Sequence, residues 1–419
     1  MKQSFYGGVH PNDRKELARH KEVAPLSAAP KQVVIAMAMH VGAPCKPIVA
    51  VGDQVKVGQK IGESAGRGAP IHASVSGVVK AVEPRPYVGG GKVMSVVIEN
   101  DFQDTWGSVL TPHPDYSKLS CEEIVEIVKE AGITGMGGAG FPTHVKISSG
   151  VGKVDTLILN GAECEPYITS DNRCFLEDTH HVLGGIKAVM KYLNIPKCII
   201  GIEGNKPEAI AKMKAAIDAP GIEVKQLPCR YPQGAEKVLI ENCTGREVPF
   251  PGLPSDVGVI VMNVTSVAFV SKYLETGMPL TTKRLTVDGD IVKEPKNVEV
   301  LIGTPIQELL DFCGGLTAQP GKVLYGGPTM GTQPILKNNN AVLAFSEKLA
   351  RLPKKTNCIH CGRCVNACPL GLAAKDIVKA YDNGNVELLQ ELNADLCMSC
   401  GTCSFVCPAK RPLAPSIAL

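Results

Sequence analysis

The stretch "CIHCGRCVNACP" (358–369) packs four thiols and a closing proline into a space that only a tight loop can serve. A second stretch, "CMSCGTCSFVCP" (397–408), repeats the spacing. Each reads C-x2-C-x2-C-x3-C-P. The first run holds Cys358, Cys361, Cys364 and Cys368, and the second Cys397, Cys400, Cys403 and Cys407. Gly362 and Gly401 give the backbone the freedom such turns need. How the thiols are read depends on compartment. The opening "MKQSFYGGVHPNDRKELARHKEV" lacks an apolar h-region, so no signal peptide is expected. No run of about 20 apolar residues offers a transmembrane helix. A cytoplasmic chain keeps its thiols reduced. The 16 cysteines are therefore read as ligands or small core residues before disulfides.

Thiolates at this spacing converge on a polynuclear iron centre. It is the spacing of the bacterial ferredoxin run for [4Fe–4S] clusters, in which the fourth cysteine serves the other cluster. The expected ligand sets are Cys358, Cys361, Cys364 and Cys407 for cluster 1, and Cys397, Cys400, Cys403 and Cys368 for cluster 2. Zinc sites favour two separated pairs over quartets. Between the runs, Ile377, Val378, Tyr381, Val386, Leu388, Leu389 and Leu392 fall at helical spacing. A helical two-cluster domain is expected. His360 and Arg363, inside the first run, either tune its potential or are solvated.

Clusters carry single electrons, so an electron source is sought upstream. The chain has 419 residues, enough for two to four domains. Its net charge of +3 is spread over both signs and shows no nucleic-acid stripe. "AGITGMGGAGFPTHVK" (131–146) holds Gly132, Gly135, Gly137, Gly138 and Gly140, followed by Lys146. Such a loop lets backbone N–H groups approach an anion, and the lysine can neutralise a phosphate. Neither standard nucleotide-loop motif fits, and a glycine-rich surface turn is the competing reading. A helical pattern (Ile124, Ile127, Val128) precedes the loop, and a buried strand (Val154 to Leu159) follows it. "NGAECEP" (160–166) ends that strand, where open α/β sheets place ligands. Asn160 and Glu163 are placed to meet a polar ring edge there, and Glu165 to accept from ribose hydroxyls. Strands at 195–204, 222–228 and 257–263 then alternate with helices, which predicts a doubly wound α/β domain.

"GMGGAGFPTHVK", "NGAECEP", "YPQGAEKVLI" and "MNVTS" resemble, in order, the flavin-binding motifs of the NADH dehydrogenase flavoprotein of respiratory complex I. "FYGGVHPNDRKELARHKEV" and the paired cysteine runs resemble a narrower family, the C subunit of the Rnf electron transport complex. The resemblance runs over nearly the whole chain. It implies FMN, with Gly135, Gly137, Gly138, Gly140 and Lys146 at its phosphate. Asn160, Glu163, Gly234, Asn263 and Thr265 would stand around its ring and ribityl chain. Phe141 would stack on the NADH adenine, or else pack in the core, and Glu165 and Glu236 would hold NADH hydroxyls. Met136 stands where the complex I family has Arg, Ala235 where it has an acid, and Cys164 where it has Ser. The implied partners are the membrane subunits and the ferredoxin-like subunit of an Rnf complex. The implied place is peripheral, on the cytoplasmic face of the membrane. A cobalamin-reductase-type electron carrier and a cluster-bearing scaffold without nucleotide are the alternatives.

The expected organisation is multidomain α/β plus β. An N-terminal extension (1–30) precedes a barrel–sandwich hybrid of the biotinyl/lipoyl type (31–110). That domain shows no carrier lysine, so a scaffold role is expected. An FMN/NADH-binding α/β domain (111–275), a β-grasp domain of the SLBB kind (276–345) and the two-cluster ferredoxin domain (346–419) follow. In the β-grasp segment "TPIQELLDFCGG" reads as a helix capped by Thr304 and ended by Gly314–Gly315. Cys45, Cys121, Cys174, Cys198, Cys229, Cys243 and Cys313 show no ligand spacing and are expected mostly as buried small residues. The histidines suggest no metal cluster, and His180–His181 reads as a helix surface. The chain stops shortly after Cys407, whereas the family often carries a longer tail, so a short form or a trimmed chain is expected.

Overall fold

The structure, a computed structural model, describes residues 5–64, 66–87, 91–107, 111–113, 115–325 and 335–418. The "GGPTMGT" stretch (326–332), read above as part of the β-grasp segment, lies outside them. An N-terminal arm carries the short strand β1 (Val23–Pro25). Next come β2 (Gln32–Ala36), β3 (Lys46–Pro47), β4 (Gln54–Val55), β5 (Lys60–Glu63), β6 (Ile71–His72), β7 (Gly77–Pro86) and β8 (Lys92–Asn100). They form two small sheets, ordered β2-β8-β7-β4 and β3-β5-β6. Alternation along the strands turns Val33, Ile35, Ile61, Ile71, Val79, Val96 and Ile98 into one core, the barrel–sandwich arrangement.

Helix α1 (Cys121–Glu130) opens on a capping box. Ser120 Oγ accepts from the Glu123 N–H at 3.2 Å, and Glu123 Oε2 accepts from the Ser120 N–H at 2.7 Å. Its apolar stripe buries Ile124 and Val128. The glycine-rich loop leads into α2 (Thr143–Gly150). The chain continues through β9 (Thr156–Gly161), α3 (Ser170–Glu177), α4 (Thr179–Leu193), β10 (Lys197–Glu203), α5 (Pro207–Ala216), β11 (Ile222–Leu227), α6 (Glu236–Thr244), β12 (Val259–Asn263) and α7 (Val264–Thr276). These four strands are parallel, in the order β11-β10-β9-β12. Their near-continuous apolar runs fit a sheet covered on both faces, and separate apolar clusters lie on its two sides. The chain winds outward from β9 through β10 to β11, then returns to place β12 on the other side of β9. The strand order therefore reverses at β9, and the crevice at the carboxyl ends of β9 and β12 is where such a sheet binds ligands.

The next unit is one sheet, β1-β14-β13-β16-β15, built from β13 (Thr282–Asp288), β14 (Lys296–Leu301), β15 (Pro320–Tyr325), β16 (Ala341–Ser346) and the strand of the arm. Helix α8 (Ile306–Phe312) packs Leu309 and Leu310 into its core. Thr304 does not cap this helix. Its hydroxyl donates to the Leu301 carbonyl at 2.7 Å, and Pro305 occupies the cap position. Gly314 and Gly315, at φ +78° and +80°, make the exit from the helix as expected.

Helix α9 (Glu347–Ala350) packs back onto β15 and β16. The C-terminal unit consists of short helices: α10 (Arg363–Ala367), α11 (Ala374–Asp382), α12 (Val386–Glu391), α13 (Thr402–Phe405) and α14 (Leu413–Ile417). Its core is thin and includes thiols: Cys364, Ala374, Val378, Cys403, Leu413 and Ala414. The apolar periodicity that continues into α12 buries no residue, and Tyr381 and Val386 are exposed. The arm ties the units together. The Gly8 N–H donates to the Ala367 carbonyl at 2.8 Å, Val9 and Tyr231 exchange two backbone bonds of 2.8 Å, and β1 joins β14. Among the described residues no helix is long and apolar enough to cross a membrane.

Candidate functional site

Strands β9 and β12 end side by side, with Asn160 opposite Asn263 in the parallel register. Asn160 Nδ2 donates to the Gly234 carbonyl at 2.9 Å, which fastens the β11–α6 turn to the strand end. Asn263 caps α7, its Oδ1 accepting from the N–H groups of Thr265 (2.9 Å) and Ser266 (3.2 Å). Its Nδ2 donates to Asp171 Oδ2 at 2.9 Å, and the Thr265 hydroxyl donates to Asp171 Oδ1 at 2.7 Å. The Asp171 N–H in turn donates to Glu163 Oε1 at 2.6 Å. Asp171, at the start of α3, is thus the hub of the strand ends. Sequence reading misses it because nothing in "SDNRC" marks that acid among others.

Above the strand ends lies a cavity of about 720 Å³, within the usual range for small-molecule and cofactor sites. Gly137, Gly138, Asn160, Glu163, Glu165, Gly234, Glu236 and Asn263 line it, with Asp171 and Tyr231. Its far wall is the second cysteine run, through Met398, Ser399 and Cys400. Gly135, Gly140, Phe141, Lys146 and Thr265 stand outside the lining. The loop is closed by the Gly135 N–H donating to the Phe141 carbonyl at 2.9 Å, and Gly140 holds φ +73°. A Cβ at Gly137 would come within 2.6 Å of Asn263 Nδ2, so a larger residue there would displace the Asn263 amide from Asp171. Phe141 is 41% exposed and is not a core residue. Lys146 Nζ donates to Glu236 Oε1 at 2.7 Å and to the Val261 carbonyl at 2.9 Å. The lysine expected at a phosphate and the acid expected at a nicotinamide ribose are therefore one ion pair, with Glu236 in the cavity lining and Lys146 outside it.

The floor is charged and buried. Lys15 of the arm, 2% exposed, donates to the Glu163 carbonyl at 2.7 Å and to the Ile168 carbonyl. Its Nζ lies 3.7 Å from Glu163 Oε2. Burial pushes the Glu163 carboxyl above the usual carboxylate range, against the pull of Lys15. Among the described residues Glu163 Oε2, itself buried, has no hydrogen-bond partner, and the Lys15 ammonium is the charge that faces it. The volume of the cavity and the polar side chains in its lining, among them Asn160, Glu163 and Asn263, suit a flavin with its polar ring edge. From behind, Lys206 Nζ donates to the Ala162 carbonyl at 2.6 Å.

The cysteines form two groups of four. One small cavity is lined by Cys358, Cys361 and Cys364 together with Cys407, and another by Cys397, Cys400 and Cys403 together with Cys368. Both are walled by apolar side chains such as Ile359 and Leu413, or Leu372 and Ile417. Gly362 and Gly401, at φ +72° and +82°, turn the runs into α10 and α13. All eight thiols are free, a donor set that suits iron–sulfur clusters. Cys400 borders both the second group and the 720 Å³ cavity, whereas no residue of the first group does. Of the remaining cysteines named from sequence, Cys45, Cys174, Cys198, Cys243 and Cys313 are buried, Cys121 is half-buried and Cys229 exposed. The structure also brings ligand atoms of His180, His181 and Glu275 within 4.8 Å of one another, a histidine-based group that sequence reading does not anticipate.

Fold and site together define a flavin-binding α/β unit whose cavity opens onto a two-cluster ferredoxin unit. Known family models match the chain in four segments. An RnfC barrel sandwich hybrid domain matches residues 3–103, a Nuo51 FMN-binding domain 128–272, an SLBB domain 284–333 and a 4Fe-4S dicluster domain 357–410. The chain is 45% identical over 89% of its length to the C subunit of the proton-translocating ferredoxin:NAD(+) oxidoreductase complex of Clostridium ljungdahlii, covering 83% of that protein. It is 44% identical over 99% of its length to the counterpart from the Na(+)-translocating complex of Acetobacterium woodii, covering 95% of it. The chain belongs to the RnfC family, the C subunits of Rnf-type ion-translocating ferredoxin:NAD(+) oxidoreductase complexes. Among solved structures, an NAD+-reducing [NiFe]-hydrogenase in the air-oxidised state shares the fold. It aligns at a TM-score of 0.53 and 19% identity, over 73% of this chain and 63% of that one.

Proposed function

We propose that this chain is the peripheral, NADH-oxidising member of an ion-translocating ferredoxin:NAD+ oxidoreductase complex. FMN occupies the 720 Å³ cavity, and two [4Fe–4S] clusters occupy the two thiol groups. FMN takes the two electrons of a hydride together and releases them singly, which is what links a nicotinamide to one-electron centres. The loop backbone at Gly137 and Gly138 faces the phosphate, Gly135 and Gly140 shape the loop from outside the lining, and Lys146, swung from Glu236, is the cation. Asn160, Glu163, Gly234 and Asn263 border the ring and ribityl chain, and Thr265 holds Asp171 against them. Glu165 and Glu236 stand at the wall for the NADH hydroxyls, and the exposed Phe141 offers a face to the adenine. The fourth ligands cross, with Cys407 joining Cys358, Cys361 and Cys364, and Cys368 joining Cys397, Cys400 and Cys403.

The observation that carries this reading is Cys400, which borders both the flavin cavity and the second thiol group. A scaffold has no need of a large cofactor cavity opening onto a cluster ligand, and the curated relatives are complex subunits rather than cobalamin reductases. Partners are the membrane subunits and the ferredoxin-like subunit of such a complex. The place is the cytoplasmic face, where NADH is supplied. Anaerobically purified protein reconstituted with iron, sulfide and FMN should show flavin and broad iron–sulfur absorbance together. Iron–sulfur absorbance with no capacity for flavin would reduce the chain to a cluster scaffold.

A further inference from the structure

The glycine-rich loop is gripped from outside the flavin-binding unit. Lys283, on β13, donates its Nζ to the Met136 carbonyl at 2.9 Å. Asn338, in the segment leading to β16, donates its Nδ2 to the Gly138 carbonyl at 3.1 Å. The neighbouring Lys337, 0% exposed, donates to the Gly132 carbonyl at 2.7 Å and to the Pro70 carbonyl of the barrel–sandwich unit at 2.6 Å. Every second carbonyl along the loop is thus held by a side chain from elsewhere, since the Thr134 carbonyl accepts from the Ser266 hydroxyl at 3.0 Å.

A trans peptide is planar, so the carbonyl of one residue and the N–H of the next point in opposite directions. Fixing the Met136 carbonyl on Lys283 therefore aims the Gly137 N–H the other way, and fixing the Gly138 carbonyl on Asn338 does the same for the Ala139 N–H. Gly137, Gly138 and Ala139 all line the cavity. Glycines rotate their peptide planes easily, and a flipped plane would present a carbonyl dipole to an anion instead of an N–H.

We propose that Lys283 and Asn338 of the β-grasp unit are positioning residues for the flavin site, locking two peptide planes of the loop with their N–H groups toward the phosphate. Lys337 anchors the start of the same loop. The role assigned to the unit is internal: it completes the flavin-binding surface. Buried Lys283 and Lys337 are both held below the usual lysine range by desolvation, to about 8 and about 7. They act as hydrogen-bond donors in either protonation state. This inference rests on the assignment of the cavity to FMN.

The test is FMN titration of the anaerobically reconstituted full chain and its variants, with amide hydrogen exchange of residues 132–141 in the flavin-free protein as a second readout. Asn338→Asp keeps the shape but replaces the donor with an acceptor. It should weaken FMN binding about tenfold or more, since the loop carbonyl loses its donor and the plane it fixed is freed. It should also raise exchange in the loop while cluster absorbance stays unchanged. Lys283→Met should act likewise, and Lys283→Gln, which retains a donor, should recover most of the affinity. FMN affinity within twofold of wild type in both Asn338→Asp and Lys283→Met overturns the proposal. Should Lys283→Met fail to assemble its clusters, Asn338→Asp alone decides. A wild-type chain that binds no FMN overturns the flavin assignment instead, and the exchange comparison then still reports whether these side chains order the loop.

Discussion

Tyr231 donates its hydroxyl to the carbonyl of Cys400 at 2.8 Å, across the boundary between the flavin-binding unit and the second cysteine run. The backbone of Tyr231 is paired in turn with Val9 of the N-terminal arm. Val9, Tyr231 and Ala367 form a small apolar cluster, with Cys164 and Cys400 against it. One residue thus lines the cavity, holds a cluster run and receives the arm. Tyr231→Phe should cost about 1 kcal/mol of docking, the usual worth of one such bond. FMN and iron content should stay unchanged, while amide exchange over 397–403 rises several-fold. Unchanged exchange would mean that the bond does not hold the run.

Crossed ligation makes a specific expectation of electron paramagnetic resonance during a redox titration. Cys368→Ser and Cys400→Ser should damage the same signal, although Cys368 lies next to the first run in sequence. Cys407→Ser should damage the signal that Cys361→Ser damages. Loss of one signal in both Cys368→Ser and Cys361→Ser would sink the crossed assignment.

These ligands are legible in sequence because a cluster imposes local spacing, and spacing survives in one dimension. The strand ends are legible for a similar reason: an apolar run followed by Asn160 or Asn263 marks both the element and its carboxyl end. Lys15, Tyr231, Lys283 and Asn338 leave no such mark. Each reaches across to another unit, by a contact between residues far apart in sequence, such as the separation of 148 between Lys15 and Glu163. A lone lysine in a strand pattern reads as a solvated one. Only the fold shows that Lys283 points into a carbonyl rather than into water. Asp171 is hidden for another reason. It lies past the end of "NGAECEP", at the start of a helix where an acid is ordinary, and only its bonds to Asn263 and Thr265 set it apart.

Lys146→Ala should weaken FMN binding with little loss of stability. The Lys146–Glu236 pair is partly exposed, and such pairs are worth under about 1 kcal/mol. A phosphate held by the loop is a better partner for the cation than water. Full flavin content in the variant, measured at limiting FMN, would remove Lys146 from the phosphate site.

His144, on α2, is buried, and among the described residues its Nδ1 has no hydrogen-bond partner. Burial, aided by Lys129, lowers its pKa to about 4 from the ordinary 6.5. The unfolded chain therefore binds this proton first. The stability of keeping His144 neutral is fully present above pH about 6.5 and is lost as pH falls toward 4. The ceiling is about 3 kcal/mol, at 1.36 kcal/mol per unit. Urea midpoints of wild type and His144→Gln should converge between pH 7 and 4.5. Parallel curves over that range would show that His144 does not set the acid sensitivity.

The most direct test of the path from NADH through flavin to clusters is an anaerobic titration of the reconstituted chain with NADH, followed at the flavin band and the broad iron–sulfur band. NADH should bleach the flavin, and the iron–sulfur absorbance should fall with it, in the absence of any other protein of the complex. Cys400→Ser should leave the flavin bleaching intact while most of the iron–sulfur change is lost. Clusters reduced by NADH in a flavin-free sample, or a bound flavin that NADH leaves oxidised, would contradict that path.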